Sequence, residues 1–248
     1  MKPVIELKNL SIGYKEIILK DISLSVVQGE VIGIFGRNGC GKTTLLNALI
    51  GMPVIRNGQV LLDGNDLTGM KPGKRAGYIS LLAQKTPELR GMTVREIIEL
   101  GAYSAGYNAA LKENERRTLL NRSNDLGGRT ADIASVLGIS ELLDKDFAKI
   151  SEGQRQLTMI GKLLMQDADI MLLDEPDSSL DYINSAMLFE LISEKRKNGK
   201  TVLMVVHNPE TAIKNCDRIW FVEKGSVMEM SGEDLNERIE EQGLKWSI

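Results

Sequence analysis

Eight consecutive residues, Gly36, Arg37, Asn38, Gly39, Cys40, Gly41, Lys42 and Thr43, fit the pattern GxxxxGK[ST], and Thr44 follows them. Glycines at these spacings let a backbone wrap with its amide hydrogens turned inward, which suits the oxygens of a polyphosphate. Lys42 adds a charge for the outer phosphates, Thr43 a hydroxyl suited to magnesium, and a helix starting here adds the positive end of its dipole. Cys40 fills the loop, where the helix start and Lys42 both act to lower a thiol pKa. Two further groups have the chemistry to act on a bound phosphate. Asp174 and Glu175 end the apolar run Ile170 to Leu173 and precede Pro176, and His207 ends the run Thr201 to Val206. An acidic pair at the carboxyl end of a buried strand divides naturally into a metal ligand, Asp174, and a general base for water, Glu175. An imidazole at the tip of a neighbouring strand is placed to sense a terminal phosphate.

These groups need elements that hold them. The runs Val31 to Phe35, Val60 to Leu62, Tyr78 to Leu82, Ile170 to Leu173, Val202 to Val206 and Ile219 to Val222 are short, aliphatic and continuous, as in strands covered on both faces. They predict a mainly parallel α/β sheet, with Val31 to Phe35 leading into the phosphate loop and Leu45 to Ile50 forming the helix after it. Val4 to Leu7 and Ile22 to Val27 alternate instead, and predict an amino-terminal antiparallel β region. From residue 93 to 165 strand patterns vanish. Thr93 with Glu96 opens a helix through Leu100, and Ser151 with Gln154 opens another through Met165, each pair fitting a capping box. Polar, glycine-rich Asn121 to Arg129 reads as an exposed loop. The expectation is a single domain over 1–248: β region and phosphate-loop core in 1–92, an inserted helical subdomain in 93–165, and the acidic strand, the histidine and a terminal helix in 166–248.

Composition excludes other chemistries. The chain of 248 residues has 31 basic and 34 acidic side chains, hence a formal charge of −3, which disfavours nucleic acid as a partner. One histidine and the distant Cys40 and Cys216 provide neither a disulfide framework nor a zinc site of the Cys/His type. The start lacks the apolar core of a secretory signal, and no apolar stretch approaches the roughly 20 residues of a membrane helix. A cytoplasmic protein is expected, with any membrane role exercised through a partner.

In this order the motifs resemble those of the nucleotide-binding subunits of ATP-binding-cassette transporters, over nearly the whole chain. Ile150, Ser151, Glu152, Gly153, Gln154 is similar to the family signature LSGGQ, a short helix before the acidic strand. Ile150 for leucine conserves volume, whereas Glu152 for glycine introduces a charge, expected to turn outward. Gln84 matches the family's glutamine loop, Ser179, Leu180 and Asp181 its D-loop, His207 its switch histidine, and Tyr14 its adenine-stacking aromatic residue. The resemblance implies ATP with magnesium as cofactors, Thr43, Gln84 and Asp174 at the metal, and Glu175 and His207 as catalytic residues. It implies nucleotide binding by Tyr14, Gly36, Asn38, Gly39, Cys40, Gly41, Lys42, Thr43, Thr44 and Gln84, and by Ser151, Gly153, Gln154 and Asp181, the signature acting on the ATP of a second subunit. It further implies a homodimer or a dimer with a related subunit, transmembrane permease subunits, indirect work with a substrate-binding protein, and a peripheral place on the cytoplasmic face of the membrane. SEGQRQL and SSLDYIN look most like subunits that energise import of iron chelates, haem or cobalamin, while Tyr103 to Arg129 matches those poorly. An alternative is a soluble non-transport cassette ATPase such as the iron–sulfur assembly subunit, against which Gln154, Arg155, Gln156 speak, since an acid and paired lysines are usual there. A regulatory cassette without hydrolysis is disfavoured by Glu175 and His207.

Overall fold

A computed structural model describes residues 2–111 and 125–241, with side chains over 2–103 and 125–240. The chain divides into two compact units, Met1–Met70 with Leu172–Glu175 and Leu191–Ile248, and Lys71–Met171 with Pro176–Glu190.

The first unit holds the sheets. β1 (Pro3–Gly13) and β2 (Ile17–Val27) pair antiparallel, and β4 (Ile55–Leu62) and the short β5 (Asn65–Asp66) extend them in the order β2-β1-β4-β5. The expected antiparallel region is therefore present, and it is larger than the sequence indicated. Val60 to Leu62, expected among the parallel strands, belongs to it through the antiparallel registers Leu7↔Val60 and Ile5↔Leu62. Val60 and Leu62 are buried while Leu61 between them is only partly so, the half-covered pattern of an antiparallel strand.

The core sheet of this unit is built on β3 (Val31–Gly36), buried at every position. β3 runs parallel to β8 (Thr201–Val205), with Val31↔Val202 through Ile34↔Val205, and parallel to β9 (Arg218–Glu223) on its other side. β10 (Ser226–Met230) pairs antiparallel with β9, and β7 (Ile170–Asp174) lies beyond β8, giving the order β10-β9-β3-β8-β7. The sheet is thus mixed, with a parallel centre. β10 had no counterpart in the apolar runs, because none of its residues is buried and Ser226 and Glu229 interrupt its apolar ones. Helix α1 (Lys42–Leu49) follows the loop after β3 and buries Leu45, Leu46, Ala48 and Leu49.

The second unit is mainly helical. α2 (Pro72–Tyr78) leads into β6 (Ile79–Leu82), which lies beside the start of β7; Ser80 Oγ donates to the Ile170 carbonyl at 3.3 Å. α3 (Val94–Leu111) begins at the expected capping box: Thr93 N and Oγ1 donate to Glu96 Oε2 at 2.7 and 2.9 Å, and Glu96 N donates to Thr93 Oγ1 at 3.2 Å. It runs a further three turns past Leu100, for Gly101 does not break it but admits the backbone of a neighbouring helix: a Cβ there would meet the Lys162 carbonyl at 2.2 Å. Within the loop expected over Asn121 to Arg129, residues 121–124 lie outside the described residues, and Leu126 to Arg129 form the first turn of α4 (Leu126–Val136). Thr130 and Ala134 of α4 are buried, so tertiary packing overrides the glycine pair. α5 (Glu152–Gln166) carries Leu157, Ile160, Leu163 and Leu164 on its buried face. α6 (Tyr182–Lys197) starts in this unit and ends in the first, where α7 (Pro209–Asn215) and α8 (Gly232–Glu241) complete the described residues.

Candidate nucleotide-binding and hydrolysis site

In the first unit the loop Gly36 to Gly41 leaves the end of β3 and delivers the chain into α1. Gly41 takes φ +114° at the helix start, and a Cβ there would meet the Ile18 side chain at 2.9 Å, so both conformation and space require glycine. No side chain caps α1 and no acid lies in its first turn, which leaves its amides and dipole available to an anion. Lys42 is buried, its Nζ donating to the carbonyls of Gly36 at 2.7 Å and Arg37 at 3.0 Å, so the ammonium is held inside the loop by the loop's own backbone. Arg37, Asn38, Gly39 and Thr43 are exposed and Thr44 is buried. Burial pushes the Cys40 thiol up, and this outweighs the lowering by Lys42. The lowering influences read from the sequence are thus outweighed, in keeping with a residue that fills the loop: the loop withdraws Cys40 from water more effectively than the lysine stabilises its thiolate.

Asp174 ends β7 and is buried, and its carboxyl is pushed up chiefly by burial and also by Glu175, against the Thr43 hydroxyl that bonds it and the charge of Lys42. Its Oδ1 is enclosed without a hydrogen-bond partner. A buried carboxylate oxygen of this kind calls for a proton or a cation, and the Thr43 hydroxyl beside the same carboxylate adds a hard oxygen donor of the sort magnesium prefers.

Glu175 follows at φ +55°, a left-handed conformation that costs an L-residue about 1–3 kcal/mol. Pro176 after it disfavours a right-handed helical continuation. The turn brings Glu175 Oε1 to 2.6 Å from His207 Nε2, with Glu175 mostly buried and His207 partly exposed. The histidine arrives by register: two residues beyond the pair Ile34↔Val205, His207 stands level with Gly36 at the mouth of the loop. Tyr14, in the turn between β1 and β2, is half exposed and accepts a hydrogen bond from Asn47 Nδ2 at 3.2 Å, which ties its phenol to the last turn of α1.

The second unit gathers a different set. Ser151 caps α5 in a complete capping box, with Gln154 N donating to Ser151 Oγ at 3.3 Å and Ser151 N donating to Gln154 Oε1 at 3.0 Å. At Gly153 a Cβ would meet the Ser179 carbonyl at 2.9 Å, so the signature stretch and the D-loop stretch pack with no room for a side chain between them. Asp181 accepts from Asn184 N at 2.8 Å and so starts α6, and Gln84 lies exposed after β6. Gln156, which no sequence motif placed in the site, is fully buried in the same unit: its Nε2 donates to the Pro176 carbonyl at 3.0 Å and its Oε1 accepts from Thr86 Oγ1 at 3.5 Å. The only sequence signal for it was a polar residue on the apolar side of α5. Lys42, Thr43, Asp174, Glu175, His207 and Tyr14 thus belong to one unit, and Gln84, Ser151, Gly153, Gln154 and Asp181 to the other.

Known proteins resemble this chain in sequence and in fold. The chain is similar to the petrobactin import ATP-binding protein FpuD of Bacillus anthracis, 31% identical over 88% of this chain and 77% of that protein. It is 30% identical to the spermidine/putrescine import ATP-binding protein PotA of Aggregatibacter actinomycetemcomitans over 91% of this chain, and spans 57% of that longer relative. In fold it superposes on a solved ATP-binding subunit of an ABC transporter with a TM-score of 0.80 at 24% identity, over 97% of this chain and 95% of the other. The sequence profile of the family described as ABC transporter matches residues 19–178, which run from β2 to the turn after Glu175, and the chain therefore belongs to the ABC transporter family, among its ATP-binding subunits.

Proposed function

We propose that this chain hydrolyses ATP to ADP and phosphate and couples that reaction to import through membrane-embedded permease subunits. One observation carries the reading: the buried Asp174 carboxylate is flanked by Thr43, Lys42, Glu175 and His207, which supports reading them as cradle, base and sensor around one point. The amides of the loop and of α1 bind the β- and γ-phosphates, and Lys42 exchanges its bonds to the Gly36 and Arg37 carbonyls for phosphate oxygens. Thr43 and Asp174, with Gln84 by resemblance, would hold magnesium, whose charge would offset that developing on the phosphoryl oxygens. Glu175 accepts the proton of the attacking water, and His207, hydrogen-bonded to it at 2.6 Å, fixes the carboxylate and meets the γ-phosphate. Tyr14 stacks on adenine.

Ser151, Gly153 and Gln154 belong to the second unit, and in this reading they complete the ATP site of a second subunit, identical or related, packed head to tail. Asp181 and the exposed Tyr182 and Ile183 beside it form part of that contact. The γ-phosphate then drives closure and its loss permits reopening. The place of action is the cytoplasmic face of the membrane, reached through partners, and among the described residues no helix is long and apolar enough to cross a membrane. An iron chelate, haem or cobalamin is the proposed cargo, supported by the stretches SEGQRQL and SSLDYIN and by the similarity to FpuD, with delivery by a substrate-binding protein. Mixing Lys42→Ala with Ser151→Ala tests the shared site. Each alone is expected to be inactive, and the mixture to regain hydrolysis from dimers that unite an intact cradle with an intact signature; no recovery would refute the shared site.

A further inference from the structure

The signature of this chain carries an acid, Glu152, at the first position of α5. Arg155, three residues on and on the same face, donates from both Nε and Nη2 to Glu152 Oε2, at 3.2 and 2.5 Å. Both side chains line a cavity of the second unit walled also by Phe147, Ala148 and Arg90, so the carboxylate is drawn along the flank of the helix. The capping box occupies Ser151 N and Gln154 N. Helix geometry leaves the amides of Glu152 and Gly153 without intrahelical acceptors, and these are the donors that an anion approaching the terminus would use. A carboxylate at this position, if free, is pulled toward the same amides by the same dipole. It would both occupy them and repel phosphate.

We infer that Arg155 is a positioning residue that sequesters Glu152 from the α5 terminus and so keeps that terminus receptive to the γ-phosphate of ATP. The inference rests on the shared-site reading of the preceding subsection. A glycine at position 152 would need no such partner; in this chain residue 155 supplies what the acid makes necessary. The device is electrostatic, so it weakens as salt screens the charges.

The test is steady-state ATP hydrolysis by the full chain carrying Arg155→Gln, Glu152→Gln/Arg155→Gln, Arg155→Lys or Ser151→Ala, at low and high salt. Arg155→Gln is expected to raise KM for ATP about three- to tenfold, moving KM more than kcat, for one unpaired charge within reach of the phosphate. High salt shrinks that defect. Removing the acid as well, in Glu152→Gln/Arg155→Gln, returns KM toward the parent, and Arg155→Lys, which keeps the charge, stays closer to the parent than Arg155→Gln. A defect that persists in the double variant, or a parental KM in Arg155→Gln, overturns the inference while Ser151→Ala remains impaired. Parental kinetics in Ser151→Ala overturn the shared-site reading itself and the inference with it.

Discussion

His207 Nε2 stands 2.6 Å from Glu175 Oε1, although the two residues follow different strands and one of them holds a left-handed backbone. The pairing follows from two independent local facts: the β3–β8 register that carries the histidine to the mouth of the phosphate loop, and the turn before Pro176 that swings the carboxylate round. A strained residue next to a buried metal-ligand candidate is the kind of feature a fold retains for chemistry.

Lys42 is held by two backbone carbonyls and is the only buried lysine among the described residues. Lys42→Ala is expected to weaken ATP binding about 10- to 100-fold, the reach of a lost hydrogen bond to a charged group, about 1.5–3 kcal/mol. Equilibrium titration with a fluorescent ATP analogue measures it. An unchanged Kd would remove the lysine from the cradle.

The two thiols are expected to be poor nucleophiles in the native protein. Burial, aided by the neighbouring charge of Asp217, pushes Cys216 up to about 12, and burial also raises Cys40. At neutral pH both are overwhelmingly thiols, and only the thiolate reacts. Alkylation followed by mass spectrometry should show slow labelling of Cys216 that becomes fast on unfolding, and ATP should slow Cys40 further by covering the loop. Rapid native labelling of Cys216 would contradict the placement.

Glu96 carries a pH dependence through the α3 cap. Its carboxyl is lowered below the ordinary value of 4.5 by the Thr93 amide first and the Thr93 hydroxyl second. A lowered folded-state pKa means that the stabilisation is complete above 4.5 and is lost as pH falls through the folded value. Glu96→Gln should therefore be less stable than the parent at neutral pH, and the two should converge in acid when urea midpoints are compared. A gap that stays constant with pH would assign the cap to geometry alone.

Much of this was legible in the chain because the signals are local. The phosphate loop announces itself by glycine spacing, both capping boxes by residues three apart, and the central strands by continuous apolar runs. What escaped depends on distant partners. Val60 to Leu62 joins β1 because Ile5 and Leu7 wait across the ladder, and α4 forms over Gly127 and Gly128 because its buried face has something to pack on. Arg155 and the Asn47–Tyr14 bond matter only through their contacts, which no residue type or spacing foretells, and Gln156 showed only as a polar residue on an apolar helix side. The direction of the Cys40 shift depended likewise on how far the folded loop excludes water.

The role of Glu175 decides the account, and Glu175→Gln addresses it most directly, since the amide keeps the size of the side chain and removes the base. ATP affinity and single-turnover hydrolysis, measured together on the purified chain, should show binding close to the parent and hydrolysis lower by about 100- to 10,000-fold, the usual contribution of a general base. Hydrolysis near the parental rate would contradict the assignment of Glu175 as the base and, with it, the proposed mechanism.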